Sequence, residues 1–249
     1  MSGHSKWAQI KRQKGVADAR RGQLFTKLSR EIAVAARQGG ANPETNFRLR
    51  LAVQKARDNN MPMESIERAI KRGAGETEGA GLTEAIYEGY GPGGAAILLE
   101  VMTDNRNRTT SEIRNVFARG GGSLGESGCV TWLFEPKGVI IVEAADAEEL
   151  ALYVIDAGAE DVKVINGTLE IHTKPEDLEG LRKALEERNL TTISAEVLMV
   201  PKSVLMLDEK AALQTLRLLD KLEELDDVQR VFTNADFPEE ALEKYRSQG

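Results

Sequence analysis

Charge divides this chain of 249 residues into two unequal parts. Residues 1–73 contain 6 Lys and 10 Arg against 6 acids, a net charge of +10, whereas residues 74–249 contain 17 basic and 34 acidic residues, a net charge of −17; together they give the chain's −7. Such asymmetry is typical of proteins in which one part binds nucleic acid and another part does not. We therefore expect a basic module that binds polyanions, joined to an acidic body.

Size and composition limit the class of protein. A chain of this length, 41% hydrophobic and 29% charged, is typical of a folded globular protein with one large domain or two to three small ones. No apolar run approaches the roughly 18–20 residues that cross a bilayer, and the basic N-terminus lacks the apolar core of a secretory signal. We expect a cytoplasmic protein with no membrane partner and, by default, a monomer.

The basic module predicts an arm followed by three helices. Residues 2–17 are rich in cations but have no helical period, which predicts an arm that becomes ordered on a partner. Segments 18–38, 44–59 and 63–71 each carry an apolar stripe at helical spacing, and Gly, Asn and Pro separate them. Three short helices with short connections predict an all-α bundle.

The cations of this module lie away from its apolar stripes and are candidate contacts to nucleic acid. Acidic residues are too sparse in this part of the chain to balance them, which favours neutralisation of phosphates over an ordinary solvated helical face. Trp7 could stack on a base or serve as a packing anchor. The candidate residues are His4, Lys6, Trp7, Lys11, Arg12, Lys14, Arg20, Arg21, Lys27, Arg30, Arg37, Arg48, Arg50, Lys55, Arg57, Arg68, Lys71 and Arg72.

Beyond a Gly-rich linker the periodicity changes to that of strands. Residues 136–200 predict the order β-α-β-β-α-β of a ferredoxin-like domain, with a hairpin turn at Asn166-Gly167. The segments on either side of this insert each lack a complete layer of sheet and helix, so we predict that they form one split domain. The predicted fold class is α+β with a basic three-helix bundle followed by two ferredoxin-like α/β domains, one inserted in the other, and the predicted domains are 1–81, 82–135 plus 201–240, and 136–200.

Three local features of the acidic body also allow predictions. Cys129 to Phe134 is an apolar run that predicts a strand with a buried thiol. Thr109 and Glu112 match a capping box, which predicts a helix beginning near Thr110. The acidic pair Asp226-Asp227 is typical of a solvated surface.

A polar stretch before that helix is a candidate anion site. Two arginines precede a helix N-terminus, whose free backbone N–H groups and hydroxyls favour an anion. The site would comprise Arg106, Arg108, Thr109 and Thr110. The alternative is that Asp104 pairs with one arginine and only caps the loop.

No arrangement typical of an enzyme is present. Two segments, 89–94 and 120–125, match G-x-G-x-x-G, but the first leads into a predicted strand and the second follows a predicted helix, so neither predicts a cofactor. Two histidines and one cysteine supply metal sites and nucleophilic systems poorly. We predict no catalytic residue, no metal, no cofactor and no small-molecule substrate.

Several motifs, in order along the chain, resemble the YebC/PmpR family, whose relatives include the mitochondrial translational activator of cytochrome c oxidase subunit I. The motifs are Gly-His-Ser-Lys-Trp at 3–7, Asn-Met-Pro at 60–62, Ile-Glu-Arg-Ala-Ile at 66–70, Tyr-Glu-Gly-Tyr-Gly-Pro-Gly-Gly at 87–94 and Thr-Asp-Asn-Arg-Asn-Arg-Thr at 103–109. The resemblance implies three domains and a non-enzymatic regulator of gene expression that uses its basic N-terminal surface. Members are described as probable transcriptional regulators that bind promoter DNA, and others as ribosome-associated factors that help translation through proline-rich stretches. Basic charge serves DNA and rRNA alike, so both partners remain open, with DNA the first hypothesis.

Overall fold

The computed structural model describes residues 18–75, 81–143, 147–165, 167–188, 190 and 192–247. Residues 1–133 with 203–249 form one unit, and residues 134–202 form a second. The helices are α1 (Asp18–Gly39), α2 (Phe47–Asp58), α3 (Met63–Gly73), α4 (Arg106–Arg119), α5 (Ala147–Asp156), α6 (Leu178–Glu187), α7 (Glu209–Glu223) and α8 (Glu239–Ser247). The strands are β1 (Thr83–Tyr90), β2 (Ala96–Thr103), β3 (Ser123–Leu124), β4 (Phe134–Glu143), β5 (Asp161–Ile165), β6 (Thr168–Thr173), β7 (Thr192–Pro201), β8 (Leu205–Met206), β9 (Val228–Thr233) and β10 (Ala235–Asp236).

The three predicted helices of the basic module are present and share one apolar core. Leu28 and Ile32 of α1 pack with Leu49 of α2 and Ile66 of α3, all at most 2% exposed. Helix α2 begins at Phe47, three residues after its predicted start. The cause is Asn46, whose side chain accepts the N–H of Leu49 and donates to the carbonyls at the end of α1, so that the buried amide joins the two helix ends.

Gly73 lets the end of α3 approach α1 closely. A Cβ at this position would lie 2.8 Å from the Cβ of Ala36 and would collide with the carbonyl oxygen of Ala33. We predict that Gly73→Ala lowers the free energy of unfolding by about 2 kcal/mol, since one helix must shift to admit the methyl group. Urea denaturation measures the change.

Gly22 provides the matched control. It lies in α1, and beyond its chain neighbours and the backbone of its own helix a Cβ added there would have no atom within 4 Å. Gly22→Ala is therefore expected to raise the free energy of unfolding by about 0.5–1 kcal/mol through helix propensity. If both variants changed stability in the same direction and by the same amount, the close approach at Gly73 would not be the cause.

The first unit contains a four-stranded sheet in the order β3-β1-β2-β9, with antiparallel pairing along β1-β2 and β2-β9. Ile97, Leu99 and Val101 of β2 join a core with Ile113 of α4 and Leu219 of α7 on one face of this sheet. Because side chains alternate along a strand, Glu100 lies on the opposite face. A short parallel pair, β8-β10, and α8 complete the unit.

Two local predictions in this unit are wrong. Residues 129–133 of the predicted strand 129–134 form a loop and one 3-10 turn at Thr131–Leu133, β4 begins only at Phe134, and Cys129 is only partly buried. Helix α4 begins at Arg106 rather than near Thr110, because Asn105, not Thr109, accepts a backbone N–H as the N-cap.

The second unit has the predicted order β4-α5-β5-β6-α6-β7, and its strands lie side by side as β5-β6-β4-β7, all antiparallel. This is the ferredoxin-like arrangement. The predicted α+β class, a helical region followed by α/β domains, is confirmed. The predicted domain boundaries stay predictions. None of the helices within the described ranges is long and apolar enough to cross a bilayer.

Candidate nucleic-acid interface

The predicted N-terminal arm, residues 2–17, lies outside the part of the chain that the structure describes. His4, Lys6, Trp7, Lys11, Arg12 and Lys14 lie outside the described residues, and the side chain of Arg20 does as well. The remaining candidates occupy α1, α2 and α3, and their side chains fall into two groups: cations that pair within the chain and cations for which the described residues supply no carboxylate.

The cationic side of α1 binds the loop that follows α7. Lys27 Nζ donates to the carbonyl oxygen of Glu223 at 2.6 Å, and Arg30 donates to the carbonyl oxygen of Asp226 and to Asp227 Oδ1, the latter at 2.8 Å. Gln23 adds hydrogen bonds to the same loop. Two predicted phosphate contacts are thus engaged by an acidic loop about two hundred residues away.

Asp227 is the centre of this contact, and its carboxylate also accepts hydrogen bonds from two residues of the candidate anion site. Arg108 donates to its Oδ2 at 2.8 Å and Thr109 at 2.6 Å, and the Asp227 side chain is only 3% exposed. Burial alone would raise the pKa of Asp227, but the hydrogen bonds from Thr109 and Arg108 and the charge of Arg30 outweigh it, so the pKa lies below its ordinary value. The prediction of a solvated pair at Asp226-Asp227 is wrong for Asp227.

The other members of the candidate anion site also have internal partners. Arg108 forms an ion pair with Asp104 at 2.9 Å, as the capping alternative predicted. Arg106 donates to the carbonyl oxygen of Glu84, and Thr110 bonds the hydroxyl of Tyr87 at 2.8 Å. The carboxylate of Asp227 therefore binds two of the groups, Arg108 and Thr109, that were predicted to bind an external anion.

A second set of ion pairs joins α1 and α2 to the sheet. Glu31 lies 2.9 Å from Arg230 of β9 and 3.7 Å from Lys55, and Arg230 lies 3.6 Å from Glu100. Burial, opposed by Arg230 but assisted by the neighbouring carboxylates, raises the pKa of Glu100. Lys55 is therefore compensated by an acid of its own bundle.

Arg48 forms the third link. It binds both carboxylate oxygens of Glu84 at the start of β1 and also the side-chain oxygen of Gln38. Its hydrogen bond lowers the pKa of Glu84, and the same bond raises that of Arg48. Arg68 pairs with Glu64 of its own helix at 2.6 Å, where both side chains are exposed.

A further group of cations lies at the ends of the helices. Arg57, Lys71 and Arg72 are exposed, and no carboxylate pairs with them in the part of the chain that the structure describes. Arg37 is also exposed, and among the described residues its guanidinium donates to the carbonyl oxygen of Leu82, at 3.5 Å. The partly buried Arg50 lies over the ring of Phe47, 5.8 Å from its centre, and Arg21 is exposed.

Three of the predicted arginines line one groove. Arg30 and Arg37 project from α1, and Arg72 comes from the last turn of α3. The groove has a volume of about 440 Å³. The other described residues that line it are Thr26, Ser29, Ala33, Val34, Gly73, Gly75, Leu82 and Asp104.

The sequence analysis did not identify the carboxylates that pair with cations of the basic module, which are Glu31, Glu84 and Asp227. It also did not identify the ion pair between Glu100 and Arg230. Local spacing carried no signal for these partners, because the carboxylates pair with residues far from them in the chain. Within the described ranges, no group of three His, Cys, Asp or Glu side chains could hold a metal ion.

Comparisons with known proteins agree with the resemblance seen in the motifs. A family model described as the TACO1/YebC protein N-terminal domain matches residues 5–76, and one described as the TACO1/YebC second and third domain matches residues 82–235. A probable transcriptional regulatory protein of Dehalococcoides mccartyi (strain BAV1) is 62% identical over 250 residues, which covers 100% of each chain. One from Moorella thermoacetica is 58% identical over 243 residues, 96% of each chain.

A solved structure extends this agreement to the fold. The crystal structure of a conserved hypothetical protein from Aquifex aeolicus superposes with a TM-score of 0.83 at 52% sequence identity. The match covers 89% of this chain and 93% of that one. The motifs, the fold and both family models therefore agree, and the chain belongs to the TACO1/YebC family.

Proposed function

We propose that this protein is a regulator of gene expression that binds DNA through its basic N-terminal domain. The observation that carries the proposal is a set of exposed cations, Arg57, Lys71 and Arg72, for which the described residues supply no acidic partner. Four other cations of the same bundle, Arg30, Arg48, Lys55 and Arg68, pair with carboxylates. The names of the relatives, probable transcriptional regulatory proteins, support the regulatory role.

The internal ion pairs indicate which cations are available to contact phosphates. A guanidinium already bound to a carboxylate must give up that bond before it can neutralise a phosphate, whereas an exposed cation without such a bond exchanges only water and counterions. Lys27, Arg30 and Arg48 therefore serve mainly to hold the bundle on the acidic body. Arg57, Lys71 and Arg72, together with the arm, would form the contacts to the polymer.

A second candidate is binding of rRNA on the ribosome, with a role in translation through proline-rich stretches. The groove between α1 and α3 favours it, because a volume of about 440 Å³ cannot admit a duplex but suits an unpaired strand, and ribosomal RNA offers many unpaired loops. Crosslinking in cells followed by sequencing of the bound nucleic acid separates the candidates: promoter DNA supports the first, and rRNA the second.

The charge argument predicts the salt dependence of DNA binding. In the double variant Arg57→Glu/Lys71→Glu, we expect about tenfold weaker binding to a 20-base-pair duplex at low salt. The slope of log affinity against log salt should become shallower by about two, because each lost phosphate contact contributes about 0.9. Fluorescence anisotropy at several salt concentrations measures both quantities.

Two exposed arginines of α4 provide the control. Arg114→Glu/Arg119→Glu makes the same change in net charge on the acidic body. This variant should lose far less affinity and keep the slope of the parent protein. Equal losses in the two double variants would mean that net charge, and not the N-terminal surface, governs binding.

A further inference from the structure

We propose that the groove between α1 and α3 binds the backbone of a single nucleic-acid strand, with a phosphate held between Arg37 and Arg72. The inference rests on the proposed function and deepens it: the outer cations would contact a polymer from outside, whereas the groove would receive one unpaired strand. The lining residues and the volume of the groove are those of one concave site within the first unit.

The charges of the groove favour an anion. Among the described residues, its lining includes three arginines against one aspartate. Arg30 is neutralised by Asp227 at 2.8 Å, and Asp104 is neutralised by Arg108 at 2.9 Å. Arg37 of α1 and Arg72 of α3 are left as two exposed guanidinium groups in the lining, and guanidinium groups bind phosphate oxygens through paired hydrogen bonds.

The dimensions favour a strand over a duplex or a lone ion. The wall formed by α1 extends from Thr26 to Arg37, which at about 1.5 Å per residue is roughly 16 Å. A volume of about 440 Å³ lies within the usual range for ligand sites but is far too small for a double helix. It accommodates a short stretch of one strand.

The lining also predicts how the strand is read. None of the described residues that line the groove is aromatic, so they offer no stacking on bases, which usually anchors unpaired strands. The hydroxyl of Thr26 donates to the carbonyl oxygen of Gly22, but that of Ser29 can donate to sugar or phosphate oxygens, and the short apolar side chains Ala33 and Val34 can contact the sugar. We therefore expect recognition of the backbone with little preference among bases.

The test uses the full-length protein and labelled octamers of uridylate and of thymidylate, measured by fluorescence anisotropy at low salt. In Arg37→Gln/Arg72→Gln we expect at least tenfold weaker binding of the octamer. Tighter binding of the uridylate octamer identifies RNA as the source of the strand, and tighter binding of the thymidylate octamer identifies DNA. Ser29→Glu, which introduces a carboxylate into the groove and leaves both arginines in place, should cause a similar loss, so the result does not depend on one variant's folding.

The control separates this inference from the proposed function. Arg114→Gln/Arg119→Gln changes two exposed cations of α4 outside the groove lining and should leave octamer binding within about twofold. If the groove variants bind the octamer as the parent does, or lose no more than this control, the groove inference is overturned while duplex binding can stand. If the octamer binds and depends on the groove but no duplex binds, the DNA proposal fails and the groove inference stands.

Discussion

Asp227→Asn is expected to lower the free energy of unfolding by about 3 kcal/mol, a large part of the stability of an ordinary domain. The carboxylate is 3% exposed and accepts from Arg30 at 2.8 Å, Arg108 at 2.8 Å and Thr109 at 2.6 Å. An amide retains only one acceptor oxygen, turns an N–H₂ group towards a donor and removes the negative charge opposite two guanidinium groups. Guanidinium denaturation with circular dichroism measures the change.

The neighbouring residue is a matched control. Asp226 is exposed, and its carboxylate accepts a hydrogen bond from Gln23 at 3.1 Å. Asp226→Asn should change the free energy of unfolding by less than about 0.5 kcal/mol. A comparable loss in both variants would show that the charge of the loop, and not the buried contact of Asp227, stabilises the protein.

The same contact predicts a dependence of stability on pH. In the unfolded chain the Asp227 carboxyl titrates near its ordinary value of 3.8, and in the folded chain its pKa is lower. A carboxyl with a depressed folded pKa contributes stability that is fully present above the unfolded pKa and is lost as the pH falls through the folded pKa. Below about pH 4 the parent protein should therefore lose stability more steeply than Asp227→Asn does.

Local spacing was sufficient to predict the helices of the basic module and the element order of the second unit. Leu28 and Ile32 are four residues apart on one helix, and the prediction of a hairpin turn at Asn166-Gly167, of which Asn166 lies outside the described residues, requires only local backbone preferences. Such patterns depend only on residues within one or two turns of each other, so they can be recognised in the amino-acid sequence. The end of a helix is harder, as α2 shows: the amide of Asn46 fixes its start through bonds to the carbonyls of α1.

The candidate site was predicted less well because its partners are distant in the chain. The spacing of cations on α1 correctly placed Lys27 and Arg30 away from the apolar core. The spacing could not show that this face of α1 contacts Asp227, which lies 197 residues after Arg30 in the sequence. The charge counts treated the basic module and the acidic body as separate parts. In the structure, some cations of the module form ion pairs with carboxylates of the acidic body, such as Arg30 with Asp227 and Arg48 with Glu84. The cations left for an external partner are visible only after that pairing is known.

The loop 125–133 was predicted in part as a strand for a similar reason. Its apolar composition from Cys129 onwards favours a strand, but Glu88 of β1 binds its backbone from about forty residues upstream. Glu88 Oε1 accepts the N–H of Gly128 at 2.6 Å, and Oε2 accepts those of Val130 at 2.8 Å and Thr131 at 2.7 Å. Backbone groups satisfied in this way are not available for a strand ladder.

Glu88→Gln is accordingly expected to lower the free energy of unfolding by about 3 kcal/mol. The side chain is 3% exposed, and burial alone would raise its pKa, but the three backbone N–H groups stabilise the charged form and hold the pKa below its ordinary value. In the variant, the amide nitrogen faces at least one backbone N–H, which leaves buried donors without an acceptor. Chemical denaturation measures the loss.

The fluorescence of Trp132 locates the effect in the loop. Its indole N–H donates to the carbonyl oxygen of Cys129 at 3.1 Å, which also accepts from the hydroxyl of Tyr90, so both aromatic side chains depend on the loop that Glu88 holds. In a Trp7→Phe background, Glu88→Gln should shift the Trp132 emission under native conditions, whereas Glu126→Gln, an exposed carboxylate of the same loop, should leave both emission and stability nearly unchanged. A loss of stability with unaltered Trp132 emission would show that Glu88 acts through the sheet and not through the loop.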